Sequence, residues 1–588
     1  MNPWLDGLTV LANEWRLTAA ILLAVLAGQS IVGFLLRALF GERLTAGERL
    51  ALGLGGWAFP LQILSLLWYF TGLDWLFWIL PAAPILFLLP RFRPDLKPAL
   101  HLPSLFLLLF FFITLPLRLA YPSQTDLPLY FDSAQHYLII KTLLSKNQSL
   151  LWGWLNTSYY HFGFHFPAAF LAKAAGAEPA RVILILGQVV LLTLPFSVFF
   201  IVRHETNSNA AGVFAMLLAA FGWSMPTHAV NWGKYPALMS VGMLAWLWGM
   251  ALFVFRRHND VSPSQRRGLY AVWVVCAALT VLTHTRALIV LGFLIPAWAM
   301  AAWLDGRSRR WMYIALLVMT AHIIGMVKIM PPDFLSDFFL VPYVEKGIPP
   351  IVFVLVLLVF AWAAFPRFMF VILVFIALVS ESLLMLLPIS LVGRELTLLD
   401  RPFVELIFFL PLSLLGGAGL AGLEKLLQRR LLWRGAVVLL AAGTVVVCTV
   451  FDYEFYFYPS ECCVIVGHDD VTAIAWTAAQ LPLDARIGVS AMPLDVLPGA
   501  APEGDVGTDA GIWITPLTGR VTLLFPFFAD FSQRAVLDIL CRDKISHLFV
   551  GERGRTFERS LLDSRPDWYR PLLSMPQTAV YEVTGCNK

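Results

Sequence analysis

The chain is short of charge. Only 14% of its 588 residues are Asp, Glu, Lys or Arg, and 59% are hydrophobic. A soluble protein needs about a quarter of its residues charged to cover its surface, so this composition excludes an ordinary soluble protein. The net charge of +4 is small. Because no basic run alternates with aromatic residues, nucleic acid is not an expected partner.

Cysteine is also scarce, and none of the six cysteines has the CxxC spacing of a metal site. Cys276 and Cys448 lie in apolar runs, where cysteine behaves as a small hydrophobic residue. The other four lie in the polar C-terminal part: Cys462, Cys463, Cys541 and Cys586. A disulfide is permitted there if the compartment is oxidising, but its pairing cannot be deduced from the sequence. The first residues lack the basic region and cleavage site of a secretory signal, so we expect the first span to remain in the mature protein.

Long apolar runs are abundant. About 14 of them approach the ~20 residues that cross ~30 Å of hydrocarbon. They cover residues 17–39, 50–71, 73–90, 103–121, 181–202, 209–226, 236–255, 268–284, 286–304, 311–330, 350–365, 367–389, 402–422 and 433–452. The pattern predicts an α-helical polytopic membrane protein with about 13–14 transmembrane helices in residues 1–452. We expect it in the plasma (inner) membrane.

The basic loops orient these spans. RFRPDLK follows the third run and RRHNDVSPSQRR follows the seventh, and loops rich in Lys and Arg stay cytoplasmic. The opposite side then receives a large exoplasmic loop, residues 122–180, and residues 453–588. In the latter, ARIGVSA, RVTLLFP, HLFVG and AVYEVTG are typical of strands, and DDVTAIAWTAAQL and SQRAVLDILCRD of amphipathic helices. We predict a small exoplasmic α/β domain there.

The exoplasmic loop carries YFDSAQHYLIIK, in which Asp132 and His136 are four residues apart. Such residues share a helix face and could hold one proton or one metal ion. Alternatively, Asp132 caps a helix that begins at residue 133. His161 and His165 repeat the spacing before an apolar stretch that is too short to span, which favours a re-entrant or interfacial helix.

Other polar groups fall on the same predicted face. NWGKYP contributes Lys234 and Tyr235, and THTR contributes His284 and Arg286. The segment GRELTLLDRPFVEL contributes a further four: Arg394, Glu395, Asp400 and Arg401. Ionisable residues at membrane depth usually face a cavity and serve function, and arginine suits phosphate. Anchoring at the interface is the alternative, and it fits Lys234 and Arg401.

These motifs resemble a known family. YFDSAQHYLIIKTLL followed by YYHFGFHFPAAFLAKAAG is similar to the opening of the GT-C membrane glycosyltransferases, in particular an uncharacterised bacterial branch. LLDRPFVELIFFLPLSLLGGAGL resembles their late span, and DDVTAIAWTAAQLPLDARIGVSA with GIWITPLTGRVTLLFP resembles the start of their tail domain. The resemblance covers roughly half of the chain in patches. It departs from related enzymes in that this loop pairs its aspartate with histidine rather than with a second acid.

The resemblance implies transfer of a hexose or pentose from a polyprenyl-phosphate donor, a membrane lipid, to an exoplasmic glycan, lipid or protein. Asp132 becomes the catalytic carboxylate, and His136 and His165 complete the acid/base or metal shell. A divalent cation, Mg²⁺ or Mn²⁺, is a candidate cofactor at Asp132 and His136. Arg286, Arg394 and Arg401 become candidates for the lipid phosphate. The remaining candidates for substrate binding are His161, Lys234, Tyr235, His284, Glu395 and Asp400.

Two alternatives stay open. A transporter or lipid flippase would need ionisable residues near mid-membrane and an internal repeat. His322 and Glu381 are the residues closest to that description, and no repeat is visible. The chain could also be a non-catalytic envelope-assembly protein that uses its tail domain for binding.

Overall fold

The computed structural model describes most of the chain. The described residues are 2–40, 44–86, 102–146, 161–256, 262–305, 307–329, 343, 348–383, 389–391, 394–396, 399–428, 430–494 and 504–587.

Helices dominate residues 2–457. They are α1 (Pro3–Asn13), α2 (Trp15–Phe40), α3 (Ala46–Gly55), α4 (Ala58–Thr71), α5 (Ile79–Leu86), α6 (Leu102–Leu119), α7 (Phe131–Leu144), α8 (His165–Ala175), α9 (Pro179–Thr206), α10 (Asn209–Leu217), α11 (Tyr235–Arg256), α12 (Pro263–Thr283), α13 (Arg286–Asp305), α14 (Arg309–Ile329), α15 (Ile348–Ala364), α16 (Pro366–Leu383), α17 (Arg401–Ile407), α18 (Phe409–Leu426), α19 (Leu431–Phe451) and α20 (Tyr453–Phe457). A two-stranded antiparallel hairpin, β1 (Ile389–Leu391) and β2 (Arg394–Leu396), lies between α16 and α17.

Ten stretches of these helices, in the described residues, are long and apolar enough to cross a membrane. They correspond to ten of the predicted runs, so the prediction of a largely helical chain with many apolar helices of membrane-spanning length is confirmed. The other four runs correspond to α5, α14, α15 and α16, which are not among the ten.

The chain forms two compact units. The helical unit contains Met1–Gln124, Thr142–Ala229 and Tyr235–Tyr458. The tail unit contains Pro459–Lys588 together with two segments from far upstream, Thr125–Lys141 and Val230–Lys234. The second unit therefore includes the part of residues 122–180, the loop predicted to be exoplasmic, that carries Asp132 and His136.

In the helical unit, α9 is the central element. Its apolar window is fully buried, and it packs against α3, α6, α8, α10, α11 and α18. Pro179 begins the helix, where its missing N–H is not needed, and Asn207 ends it in a left-handed conformation. A helix that is apolar on every side fits the middle of a bundle because it has no face for water.

Four helices and six strands follow in the described residues of the tail unit. The helices are α21 (His468–Gln480), α22 (Ile514–Thr518), α23 (Arg534–Arg542) and α24 (Arg559–Asp563). The strands are β3 (Arg486–Pro493), β4 (Asp505–Gly507), β5 (Val521–Pro526), β6 (His547–Val550), β7 (Tyr569–Ser574) and β8 (Ala579–Val583). With these helices against its strands, the tail is a small α/β structure.

The tail strands form one mixed sheet around β3. This strand is parallel to β5 and β6 and antiparallel to β4, and β8 is antiparallel to β6 and β7. Parallel neighbours need a crossover connection, and α23 lies in the connection from β5 to β6. The core beneath contains Phe531, Leu537, Leu548 and Tyr569, all fully buried.

The predicted strands and helices of the tail are confirmed, as β3, β5, β6, β8, α21 and α23. The sequence did not predict β4, which has three residues, or β7, which is largely exposed. Cys541 on α23 is bonded to Cys586, with 5.4 Å between their Cα atoms, and the adjacent Cys462 and Cys463 also pair.

Candidate functional site

Asp132 lies in the first turn of α7. The chain enters this helix through Tyr130, which has a left-handed φ of 65°. The helix begins at Phe131, so the alternative that Asp132 caps a helix starting at residue 133 is wrong. An acidic side chain in the first turn is favoured by the helix dipole. The Asp132 side chain is 21% exposed, which leaves its carboxylate within reach of solvent.

A lysine from a distant segment pairs with this carboxylate. Lys234 Nζ donates to Asp132 Oδ2, and the lysine side chain is 28% exposed. The ammonium group also lies 6.0 Å from the ring centroid of Phe131. Lys234, predicted to bind substrate or to anchor a helix, is thus a partner of the predicted catalytic carboxylate.

His136 lies one turn further along α7 and is 2% exposed. Its Nε2 is 3.0 Å from the carbonyl oxygen of Gly233. A carbonyl oxygen only accepts, so Nε2 is the nitrogen that carries the proton. Burial lowers the pKa of His136 to about 4, although the charge of Asp132 opposes this shift. His136 is therefore neutral at pH 7.

Gly233 allows the two segments to meet. Its φ is +63°, and a Cβ built there would lie 2.7 Å from Ser133 Oγ and 3.2 Å from Leu129 O. A side chain at this position would meet both a strained backbone and the first turn of α7. The carbonyl of Gly233 accepts from His136 while the next residue supplies the ammonium group to Asp132.

The Asp132 segment is built into the tail unit at further points. The rings of Tyr137 and Trp513 lie 5.7 Å apart, and Lys141 Nζ donates to Pro516 O at 2.9 Å. The backbone N–H of Ser460 donates to the side chain of Asn231. Trp513, Pro516 of α22 and Ser460 thus hold the two segments that carry Asp132, His136 and Lys234 within the tail unit.

A second group of candidates meets in the helical unit. The backbone N–H of Gly163 donates to Leu282 O at 3.0 Å, which brings the HFGFH segment against the end of α12. The rings of His161 and His284 then lie 4.4 Å apart, and His284 stacks on Phe403 at 4.9 Å. The structure therefore brings together two histidines that the sequence placed in different loops.

Two arginines beside this group are paired with acids. Arg286 Nη2 lies 2.9 Å from Asp400 Oδ2, and Arg401 Nε lies 2.7 Å from Glu405 Oε1. Asp400 also accepts from the backbone N–H of Phe403 and so caps α17. Both arginine side chains are about one-third exposed.

His165 and Tyr235 are deeply buried in the helical unit. His165 begins α8, and its ring lies 5.7 Å from that of Phe164, which in turn stacks on Tyr235. The first eight residues of α8 are all buried. This differs from the predicted interfacial helix, which would keep one side exposed, because α8 packs against α4, α9 and α2.

The predicted residues therefore divide between the two units. Asp132, His136 and Lys234 belong to the tail unit, and the other described candidates belong to the helical unit. For Arg394 and Glu395 only the backbone, in β2, is described, and their side chains lie outside the described part. Gly233 was not predicted from the sequence as a functional residue. The signal that could have identified it is a glycine next to a lysine in a polar turn.

The comparisons with known proteins give no family for this chain. No family model matches it, and no curated protein matches it.

Proposed function

We propose that the chain is an integral-membrane glycosyltransferase that moves a sugar from a polyprenyl-phosphate donor to an acceptor outside the cytoplasm. In this proposal it lies in the plasma membrane, with the tail unit on the non-cytoplasmic side. The acceptor is an envelope glycan, a lipid or a protein.

One observation carries the proposal. A partly exposed carboxylate, Asp132, is oriented by Lys234 one turn from a neutral histidine, His136, in a chain rich in apolar helices. Orienting and burying ionisable side chains costs free energy, so such arrangements are found mostly where they serve a function. The paired cysteines of the tail unit support its assignment to an oxidising compartment.

The proposed chemistry assigns Asp132 the role of general base. It takes the proton of the acceptor hydroxyl as the acceptor oxygen bonds to C1 of the sugar. The bond from C1 to the donor phosphate breaks, and its electron pair leaves with the phosphate. His136, neutral and held through Nε2, supports the turn that presents Asp132 and is not itself assigned a proton transfer.

The leaving phosphate needs fixed positive charge. Within the helical unit by itself, Arg286 and Arg401 are the candidate ligands for a phosphate group, because a guanidinium fork can bind two phosphate oxygens at once. Asp400 and Glu405 hold these forks in place while leaving about a third of each arginine exposed.

The test is transfer by the purified full chain in lipid nanodiscs, with radiolabelled polyprenyl-phosphate hexoses and pentoses as donors. We expect Asp132→Asn to lower transfer by about 100-fold or more, because the base is lost while shape is kept. Asp126→Asn is the matched control, since Asp126 is an exposed acid six residues earlier in the same loop. Equal transfer by Asp132→Asn and the parent chain would remove Asp132 from the mechanism.

A transporter is the second candidate, and one contact favours it. His322 Nε2 on α14 pairs with Glu381 Oε1 on α16. An ionisable pair on two largely apolar helices is the kind of group that couples proton movement to transport. Substrate flux into proteoliposomes that is lost in Glu381→Gln, without any covalent product, would favour this candidate over transfer.

A further inference from the structure

The charge that balances Asp132 in the tail unit is an ammonium group rather than a metal shell. Lys234 Nζ donates to Asp132 Oδ2. Among the residues that the structure describes, Asp132 and His136 belong to no group of three or more His, Cys, Asp or Glu ligand atoms within 4.8 Å of one another. A single carboxylate is therefore the acidic donor that this turn offers.

The donor set does not fit Mg²⁺ or Mn²⁺. Such ions take about six hard ligands, mostly oxygens. Nε2 of His136 is not a ligand atom, because it donates its proton to the carbonyl of Gly233. The pair therefore offers at most one carboxylate and one ring nitrogen, Nδ1, which is well short of six ligands. A cation bound to Asp132 would also meet the positive charge of Lys234. The expectation of a divalent ion at Asp132 and His136 therefore disagrees with the residues found there.

The position of Lys234 is fixed by the fold. Gly233 lies against the first turn of α7, where a Cβ would be only 2.7 Å from Ser133 Oγ. Asn231, at the other end of the same short segment, accepts from the backbone N–H of Ser460. The lysine thus extends from a backbone that is held on both sides, unlike a surface lysine that meets an acid by chance.

We propose that Lys234 is a positioning residue that takes the place of a divalent cation, so that sugar transfer does not require Mg²⁺ or Mn²⁺. This inference rests on the proposed glycosyltransferase function. Lys234 orients Asp132 toward the acceptor hydroxyl by donating to its Oδ2, and so supplies the positive charge that a bound cation would otherwise place beside the carboxylate.

The proton balance is simple with this assignment. Asp132 gains the hydroxyl proton, and its pairing with Lys234 then weakens because the carboxyl group has lost its charge. The ammonium group keeps its three protons throughout and is not itself a reactant. No oxidant, reductant or metal ion is needed for the step.

The first experiment measures metal dependence. Full-length protein is treated with EDTA, passed through a desalting column and assayed with the labelled lipid-linked donors. We expect transfer to stay within about twofold of the untreated protein and to show no stimulation by added Mn²⁺. Loss of transfer with EDTA and its return with Mn²⁺ would overturn the inference.

The second experiment substitutes the lysine. We expect Lys234→Ala to lower transfer by about 100-fold and Lys234→Arg, which keeps the charge, by about tenfold. Lys234→Arg restores the positive charge beside Asp132, so its higher transfer relative to Lys234→Ala reports on the charge itself. Equal transfer by the two variants would show that the charge has no role.

Lys141→Ala is the matched control. Lys141 is also a lysine of the tail unit with a partner, Pro516 O, but it lies away from Asp132 on α7. We expect its transfer to match that of the parent chain. Parent-like transfer by Lys234→Ala would contradict the role given to Lys234.

The failure of this inference can be told apart from failure of the proposed function. If no donor supports transfer, the function proposal fails, and Mn²⁺ binding is then measured by electron paramagnetic resonance. Mn²⁺ bound by the parent chain but lost in Asp132→Asn would overturn the inference independently of activity. No Asp132-dependent binding at millimolar Mn²⁺ would support it.

Discussion

Gly233 is the residue on which the geometry around Asp132 depends most directly. It combines a left-handed φ of +63° with atoms of Ser133 and Leu129 within 3.2 Å of where a Cβ would lie. The left-handed backbone and the close approach restrict the residue at this position independently of each other. A left-handed conformation costs a residue with a side chain about 1–2 kcal/mol, and the close approach adds displacement of α7 or of Lys234.

We therefore expect Gly233→Ala to lower transfer by at least about tenfold, because a shift of 1 Å near a reacting group is costly. Gly176→Ala is the control, since Gly176 has the same φ of +63° with nothing within 4 Å of its Cβ position. It carries the backbone strain without the clash. Similar losses of activity in both variants would show that the contact with Ser133 is unimportant.

At the scale of the element, the packing of α7 within the tail unit depends on His136 being neutral. Burial lowers the pKa of His136 from its ordinary 6.5 to about 4. When α7 detaches, His136 is free to take a proton below about pH 6.5. The detached form therefore binds more protons between about pH 6.5 and 4, and the attached form loses stability as the pH falls through this range.

The attached form of α7 is expected to lose at most about 3 kcal/mol of stability between about pH 6.5 and 4. Hydrogen exchange of the peptide spanning residues 131–141, corrected for intrinsic rates, measures it. Asp132 and Lys234 face His136 and contribute in opposite directions. In His136→Gln, which can still donate to Gly233 O, the pH dependence of protection should largely disappear. A dependence that persists unchanged would assign the effect to another group.

The local sequence pattern was sufficient to predict most of the helices and strands. The apolar runs predicted helices because their length and composition are set by the membrane. The strands at 486–493 and 547–550 were predictable because both are rich in buried apolar residues. The first turn of α7 was displaced from its expected start because Tyr130 adopts a left-handed φ, which composition does not reveal.

The partners of the candidate residues could not be predicted in the same way. Lys234 is 102 residues from Asp132, and Asn231 is 229 residues from Ser460. No periodicity in either segment indicates which distant segment it contacts. The sequence could select the polar groups as unusual in an apolar chain, but their pairing is decided by the tail sheet and by the turn at Gly233.

At the scale of the whole molecule, the proposal requires that the tail unit faces away from the cytoplasm. We expect Leu483→Cys, at a tail position that is 75% exposed, to react with a membrane-impermeant maleimide in intact cells. Arg307 lies in DGRSRR, a basic loop after the run 286–304, and loops rich in Lys and Arg stay cytoplasmic. Arg307→Cys should therefore react only after the cells are permeabilised. The unsubstituted chain gives the background from native cysteines. The reverse pattern would place Asp132 and the tail on the wrong side for an exoplasmic acceptor.

The three-segment composition of the tail unit has a consequence for biogenesis. Residues 125–141 leave the ribosome early, whereas the strand Ala579–Val583 that completes the sheet comes last. At about 5–20 residues per second, roughly 20–90 s separate the two. During that interval residues 125–141 lack the complete sheet of the tail unit. A chain that terminates before residue 579 therefore makes the Asp132 segment but cannot complete the unit to which it belongs.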